Sequence, residues 1–236
     1  MSSLVLRVKS VRRATPSTRI VRADLGGAAF PYKAGQAALV GPPEGADRVP
    51  YSIASAPEES RRHGWLEFLI KTDASGHWGT HFPPLRRGMQ LAVKGPLGSF
   101  KLPDHPRERK YLFIAGGTGI SPIRSMIREA ILSGRAGRIR LLYSARTPGD
   151  FAYATELRSM ARRGEIELAL ATTREIPARW RGWRGRISAV QLATLIDDPA
   201  TLAFVCGPAA MVADVPPMLQ HLGIDQHRIR VEEWAS

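Results

Sequence analysis

The chain has 236 residues, 44% hydrophobic and 23% charged, the balance of an ordinary globular protein with room for one or two domains. A formal net charge of +13, from 34 Lys and Arg against 21 Asp and Glu, points to anionic ligands or an acidic partner. The arginines are scattered, without a basic helix, RNP motif or finger spacing, so no nucleic acid is expected. One cysteine, Cys206, excludes an intrachain disulfide and a cysteine-built zinc or iron–sulfur site supplied by this chain alone, so no metal is expected. The N-terminal MSSLVLRVKS lacks an apolar run of signal-peptide length, and no apolar stretch is long enough to span a bilayer. A cytoplasmic location without membrane insertion is the expectation.

From residue 4 to about 100 the pattern is all-β. LVLRVKSV, RIVRAD, QAALV, VPYSIAS, WLEFLIK and MQLAVKG carry alternation or β-branched residues between turns such as FPYKAG, GPPEGAD and GPLG. Six short strands with few helical patterns predict a small closed antiparallel barrel. WLEFLIK and MQLAVKG alternate best, and GHWGTHFPPL reads as a short helix or turn crossing the barrel. The polar, proline-bearing KLPDHPRERK, residues 101–110, is the expected junction, giving domains 1–103 and 108–236.

Beyond it, strands alternate with helices. YLFIA, RIRLLYSA, EIELALAT, TLAFVC and IRVEEW read as strands. SPIRSMIREAILSG, YATELRSMARRG, SAVQLATLI (with Ser188 as N-cap) and AAMVADVPPMLQHLG (with Pro216 and Pro217 near its middle) read as helices. This order predicts a doubly wound α/β domain with a parallel sheet.

Residues 111–126, YLFIAGGTGISPIRSM, run from an apolar strand through a glycine turn into a helix. Gly116, Gly117 and Gly119 allow a tight turn and a close backbone approach, and Pro122 falls in the first helical turn, where a missing N–H costs nothing. A helix N-terminus behind such a turn suits a phosphate or pyrophosphate. The pattern is GxGxxP instead of GxGxxG, so a plain glycine-rich βα turn is the alternative.

Several motifs in order give the chain a specific resemblance: PYSIAS at 50–55, GxxGT at 76–80, GPLGSF at 95–100, GGTGISP at 116–122, YSARTPGDFAY at 143–153, TREIPARWRGWRGRI at 173–187, CGP at 206–208 and the C-terminal EEW. Together they resemble the ferredoxin–NADP reductase superfamily over nearly the whole chain. The resemblance implies a flavin-binding barrel followed by an NAD(P)-binding domain. It puts Tyr51 beside the flavin and Ser52 as a donor toward its reactive nitrogen. The arginine that holds the flavin phosphate usually stands two positions before that tyrosine; Val49 occupies the place here, and Arg48 is the candidate. Ile70, Lys71 and Thr72 correspond to the strand beside the ribityl chain, and Gly76, Gly79 and Thr80 to a phosphate turn. His77 and Trp78 are not signature residues and read as solvent-exposed.

On the nucleotide side the resemblance gives Gly116, Gly117, Thr118, Gly119 and Pro122 to the dinucleotide, and Cys206, Gly207 and Pro208 to the nicotinamide end. Cys206 would be a packing and orienting residue. Arg146, Arg174, Arg184 and Arg186 would bracket an adenosine 2′-phosphate, which favours NADPH over NADH, with Asp150 the nearest acid after Arg146. Trp234 resembles the C-terminal aromatic that stacks on the flavin. Glu232 or Glu233 would supply a carboxylate near the reaction centre, with Glu233 as the assignment. The C-terminal aromatic and the 76–80 turn favour FAD over FMN.

The implied activity is an NAD(P)H-dependent flavoprotein reductase that takes hydride onto FAD and passes single electrons to an acidic carrier, a ferredoxin, a flavodoxin or an oxygenase component. Two alternatives stand beside it: the reductase component of a separately encoded oxygenase, haem or membrane partner, and an electron-transfer subunit of a larger complex.

Overall fold

The computed structural model describes residues 2–44, 48–73, 75, 77–78, 83–104, 108–134, 137–174 and 177–233. The chain divides into two compact units, Met1–Leu102 with Arg124–Leu132, and Pro103–Ile123 with Ser133–Ser236.

The first unit is a six-stranded antiparallel sheet built from β1 (Ser2–Thr15), β2 (Thr18–Asp24), β3 (Ala37–Gly41), β4 (Val49–Ser52), β5 (Trp65–Lys71) and β6 (Gln90–Leu97). Its order is β4-β3-β6-β1-β2-β5, and an isolated antiparallel bridge from Ile53 to Phe68 joins the two end strands, so the sheet is a nearly closed barrel. Leu6, Val8, Val21, Val40, Leu66, Phe68, Leu91 and Val93 fill its core, each contributing about 2 kcal/mol of apolar burial.

Two features depart from the alternation seen in the sequence. β5 is buried on both faces from Trp65 to Ile70, Glu67 included. A seven-residue helix, α1 (Pro57–His63), packs beside it. α1 has proline in its first turn, Glu58 and Glu59 at the positive end of the helix dipole, Arg61, Arg62 and His63 at the negative end, and Gly64 as a left-handed cap at φ 70°. Trp78, expected at the surface, is fully buried in the barrel core, its ring 6.1 Å from that of Tyr51, while His77 is exposed and bonded to Asp73. A large apolar ring is worth more inside the barrel than against water, whatever the polarity of its sequence neighbours. Most of the GHWGTHFPPL segment lies outside the described residues.

The buried charge of this unit is organised around Arg124. Its Nη1 donates to the Ala54 carbonyl at 2.7 Å and to Glu59 Oε2 at 3.0 Å, and Glu67 Oε1 lies 3.8 Å away. Arg128 Nε donates to Glu59 at 2.8 Å, and Arg22 pairs with Glu67 at 2.7 Å across the β2–β5 ladder. Ser125 donates to the Ser55 carbonyl at 2.6 Å, and the Ser55 hydroxyl accepts the Glu67 N–H at 3.1 Å.

The second unit is a six-stranded parallel sheet of β7 (Lys110–Gly116), β8 (Arg138–Ala145), β9 (Glu167–Thr172), β10 (Trp183–Arg184), β11 (Leu202–Gly207) and β12 (Ile229–Glu233). Its helices are α2 (Ile120–Leu132), whose residues up to Ile123 belong here, α3 (Ala154–Arg162), α4 (Ala189–Ala193) and α5 (Ala209–His221). Ser188 caps α4 reciprocally with Gln191, and α5 carries Pro216 and Pro217 within it, both as the sequence suggests. The strand order β10-β9-β8-β7-β11-β12 means that the chain leaves β7 in one direction and returns to its other side at β11. That reversal is the topological switch point, where ligands of open α/β sheets collect beyond the carboxyl ends of the strands. At the opposite ends, Arg140 is held by Glu167, Asp197 and the Leu195 carbonyl, a charged clamp remote from the switch point.

Candidate nucleotide and flavin sites

At the switch point the GGTG turn after β7 meets the CGP segment after β11 with no room for side chains. A Cβ on Gly119 would lie 2.2 Å from the Cys206 carbonyl oxygen, and one on Gly116 would lie 2.8 Å from Pro208 and Met211. One on Gly207 would lie 2.7 Å from the Met211 sulfur. Among Gly116, Gly117, Gly119 and Gly207, only Gly117 has a left-handed backbone, at φ 54°, and a Cβ there would meet open space. The glycines thus divide: Gly117 shapes the turn, while Gly116, Gly119 and Gly207 bring two strand ends together. Gly117–Gly119 form one 3₁₀ turn that runs straight into α2, so the first N–H groups of the pair have no intrahelical acceptor. Pro122 is buried in the first turn of α2.

Cys206 is fully buried, in register with Ala115 of β7 and Glu232 of β12. The sequence could not separate Glu232 from Glu233; the strand register can. Glu233 pairs with Gly207 and is exposed, whereas Glu232 shares a face with Cys206. Burial raises the Glu232 carboxyl to about 7, and its Oε2 is enclosed without a hydrogen-bond partner among the described residues.

The expected 2′-phosphate arginines come from three neighbouring strand ends. Arg174 N–H donates to the Arg146 carbonyl at 2.8 Å, Arg184 is in register with Thr172, and Gly185 N–H donates to the Thr172 carbonyl at 2.8 Å. Arg146, Arg174, Arg184 and Arg186 are all exposed on this edge. Asp150, in contrast, is turned to Thr147, accepting its N–H at 3.1 Å and its hydroxyl at 2.9 Å. Trp180 stacks on Phe151 with ring centroids 5.7 Å apart and donates its indole N–H to the Trp183 carbonyl at 3.0 Å, which fixes the arginine-bearing loop.

In the barrel, β4 and β5 are the two ends of the sheet and touch through the Ile53–Phe68 bridge. Counted antiparallel from that bridge, Tyr51 runs toward Ile70 and Val49 toward Thr72, so the edges beyond it leave backbone donors and acceptors for something other than a strand. Tyr51 is half-buried, and burial raises its phenol to about 12; Ser52 is buried beside it. Arg48 Nε and Thr72 Oγ1 are buried at this seam without a hydrogen-bond partner among the described residues. Two orphaned polar atoms at an open strand edge fit a polar cofactor such as a flavin nucleotide. Ile70 is buried and Lys71 exposed. Gly76, Gly79, Thr80 and Trp234 lie outside the described residues.

Sequence reasoning passed over one residue that the structure ties to the glycine turn. Tyr143, at the carboxyl end of β8, is fully buried with its hydroxyl bonded to the GGTG turn. The signal was a tyrosine where an apolar strand would take valine or isoleucine, since a buried phenol must find a partner.

Comparison with known proteins agrees with this division. Residues 5–102 match the oxidoreductase FAD-binding domain family and residues 113–216 the oxidoreductase NAD-binding domain family. A protein of Sorangium cellulosum named ferredoxin–NADP reductase B is 34% identical over 97% of this chain and 96% of its own length. The glycine betaine monooxygenase reductase subunit of Pseudomonas aeruginosa is 34% identical over 64% of this chain, which spans 42% of that protein. A solved ferredoxin reductase in carbazole 1,9a-dioxygenase superposes with a TM-score of 0.82 at 26% identity, covering 99% of this chain and 70% of its own. With both domain families matched in order and a relative covered end to end, this chain belongs to the ferredoxin reductase-like family of NAD(P)H-dependent flavoprotein oxidoreductases.

Proposed function

We propose that this chain is a reductase that takes hydride from NADPH, and less readily from NADH, and delivers electrons one at a time to an acidic ferredoxin- or flavodoxin-type carrier or an oxygenase component. Residues 1–103 hold FAD and residues 108–236 hold the nicotinamide dinucleotide, in a cytoplasmic setting. When bound, the flavin supplies the conversion from two-electron to one-electron chemistry. The observation that carries this reading is the Gly119–Cys206 approach at the switch point, which brings the glycine turn at the start of α2 against the end of β11 that bears the buried Cys206.

The chain's own residues have separable tasks. Arg48 holds the flavin phosphate, Tyr51 packs against the ring, Ser52 donates to it, and Ile70, Lys71 and Thr72 line its ribityl side. Gly117, Thr118 and Gly119 hold the dinucleotide pyrophosphate through backbone N–H groups. Cys206, Gly207 and Pro208 shape the nicotinamide end. Glu232, rather than Glu233, is the carboxylate we assign there, because it alone is enclosed beside Cys206. Arg146, Arg174, Arg184 and Arg186 read the 2′-phosphate, a reading supported by Asp150 being occupied with Thr147 instead of facing a ribose.

Purified protein is expected to be yellow, to release FAD, and to bleach faster with NADPH than with NADH in stopped flow. Arg146→Ala and Arg174→Ala are each expected to raise the NADPH KM about tenfold to a hundredfold while sparing NADH. A colourless protein that takes up neither FAD nor FMN sinks the enzyme reading; an unchanged preference moves the 2′-phosphate site elsewhere.

Glu232 predicts a pH signature. A carboxyl raised from 4.5 to about 7 is neutral in the fold where the unfolded chain would be ionised, so it costs stability progressively between those values. Glu232→Gln is therefore expected to melt higher than wild type at pH 8 and alike at pH 4. It should also lose an inflection near pH 7 in the rate of nucleotide oxidation. Parallel profiles for the two proteins would remove Glu232 from the site.

A further inference from the structure

We propose that Tyr143 is a positioning residue for the dinucleotide: its hydroxyl aims the Gly117–Thr118 peptide so that the Thr118 N–H faces the pyrophosphate. This rests on the nucleotide reading of the GGTG turn given above. The Tyr143 hydroxyl donates to the Gly117 carbonyl at 3.0 Å and accepts the Ala152 N–H at 3.2 Å. The Gly117 carbonyl also accepts the Ile120 N–H, so its oxygen is held toward the protein from two sides.

A trans peptide is planar, and its C=O and N–H point in opposite directions. Fixing the Gly117 oxygen inward therefore directs the next N–H, that of Thr118, outward. Gly117 is exposed and Thr118 half-buried, so the turn that carries this peptide reaches the surface at the switch point. Gly117 itself supplies no stiffness: its left-handed backbone has open space around it, and glycine moves between regions easily. Rotation of this peptide would turn a carbonyl toward the phosphates. The tyrosine hydroxyl opposes that rotation.

The second hydrogen bond extends the effect. Ala152 belongs to the loop that follows β8 and carries Arg146, and Phe151 meets the Tyr143 ring edge-on with centroids 5.0 Å apart. Tyr143 thus joins the pyrophosphate turn to the arginine-bearing loop through one buried atom. Burial keeps its phenol well above the ordinary range, so it remains a donor at every working pH.

Tyr143→Phe removes the hydroxyl and keeps the ring. Titration of the flavin-loaded, oxidised protein with NADP⁺ by calorimetry, in which no chemistry occurs, should give a Kd about tenfold weaker than wild type. Flavin content and visible spectrum should not change. Ser188→Ala, which removes the α4 cap in the same unit, is the control for general destabilisation and should leave the Kd alone. Wild-type binding with an unchanged Tyr143→Phe Kd overturns the positioning role and leaves the nucleotide site standing. Absence of NADP⁺ and NAD⁺ binding to wild type overturns the nucleotide reading and this role with it. A measurement on wild type alone guards against a variant that fails to fold. NADP⁺ should slow hydrogen exchange at the Thr118 amide, and an amide indifferent to NADP⁺ overturns the proposal.

Discussion

Replacing Arg124 by methionine is expected to lower the stability of the first unit by about 3–5 kcal/mol, the cost of leaving buried charge without its partner. Glu59 and Glu67 are 5% and 0% exposed, and Arg124 faces both. Methionine preserves most of the volume, so the loss would come from charge and hydrogen bonds. Arg128 and Arg22 would remain on the two carboxylates, but the Ala54 carbonyl, two residues beyond Ser52, would lose its donor. Urea denaturation followed by hydrogen exchange in β5 and α1 measures the effect where it should fall.

The pH dependence of that loss tests its cause. Burial alone would raise the Glu59 carboxyl, but the charge and hydrogen bonds of Arg124, with the Ala56 N–H and Arg128, outweigh it and hold the group below its ordinary range. A depressed carboxylate contributes stability above its unfolded pKa and loses it as pH falls through the lower, folded value. Without Arg124 that contribution shrinks or reverses. The gap between wild type and Arg124→Met should therefore be widest near neutrality and narrow in acid, where Glu59 is protonated in both. A gap that is constant with pH would mean that packing, and not charge, is what Arg124 provides.

This cluster also marks the limit of what the residues alone disclose. The barrel strands and the αβ order were legible because alternation and apolar runs are local signals, and GGTGISP and CGP were legible as motifs. Glu59 and Arg124 are 65 residues apart, and nothing in either neighbourhood announces the pair. Glu67 sits in WLEFLIK where alternation would turn it to solvent; it is buried because α1 covers that side, and α1 itself is too short for a helical period to show. Pro57, the acid-to-base order of its charges and Gly64 were its only signals. Trp78 failed for a related reason, since polar neighbours say little about where one large ring goes. Glu232 and Glu233 needed the β11–β12 register, a tertiary fact, before one could be preferred.

The glycine turn yields the second large effect. Gly119→Ala is expected to destabilise the second unit by about 3 kcal/mol or more and to weaken NADP⁺ binding at least a hundredfold. The added methyl would lie 2.2 Å from the Cys206 oxygen, 2.6 Å from its carbonyl carbon and 3.0 Å from the Gly207 nitrogen, all backbone atoms of a sheet strand end that cannot rotate away. Relief requires β11 and the turn after β7 to separate, which opens the place proposed for the pyrophosphate. Gly117→Ala offers the contrast two residues away. Its methyl meets nothing within 4 Å, and its cost is the left-handed backbone alone, about 1 kcal/mol. If the turn acts by its shape at Gly117, the two variants should bind NADP⁺ about equally poorly. If it acts by the approach of two strand ends, Gly119→Ala should lose binding while Gly117→Ala keeps most of it. Calorimetric titration of both with NADP⁺ decides between these. The contacts around Gly119 favour the second outcome, because the ends of β7 and β11 meet there with no room for a methyl group, whereas Gly117 has open space around it.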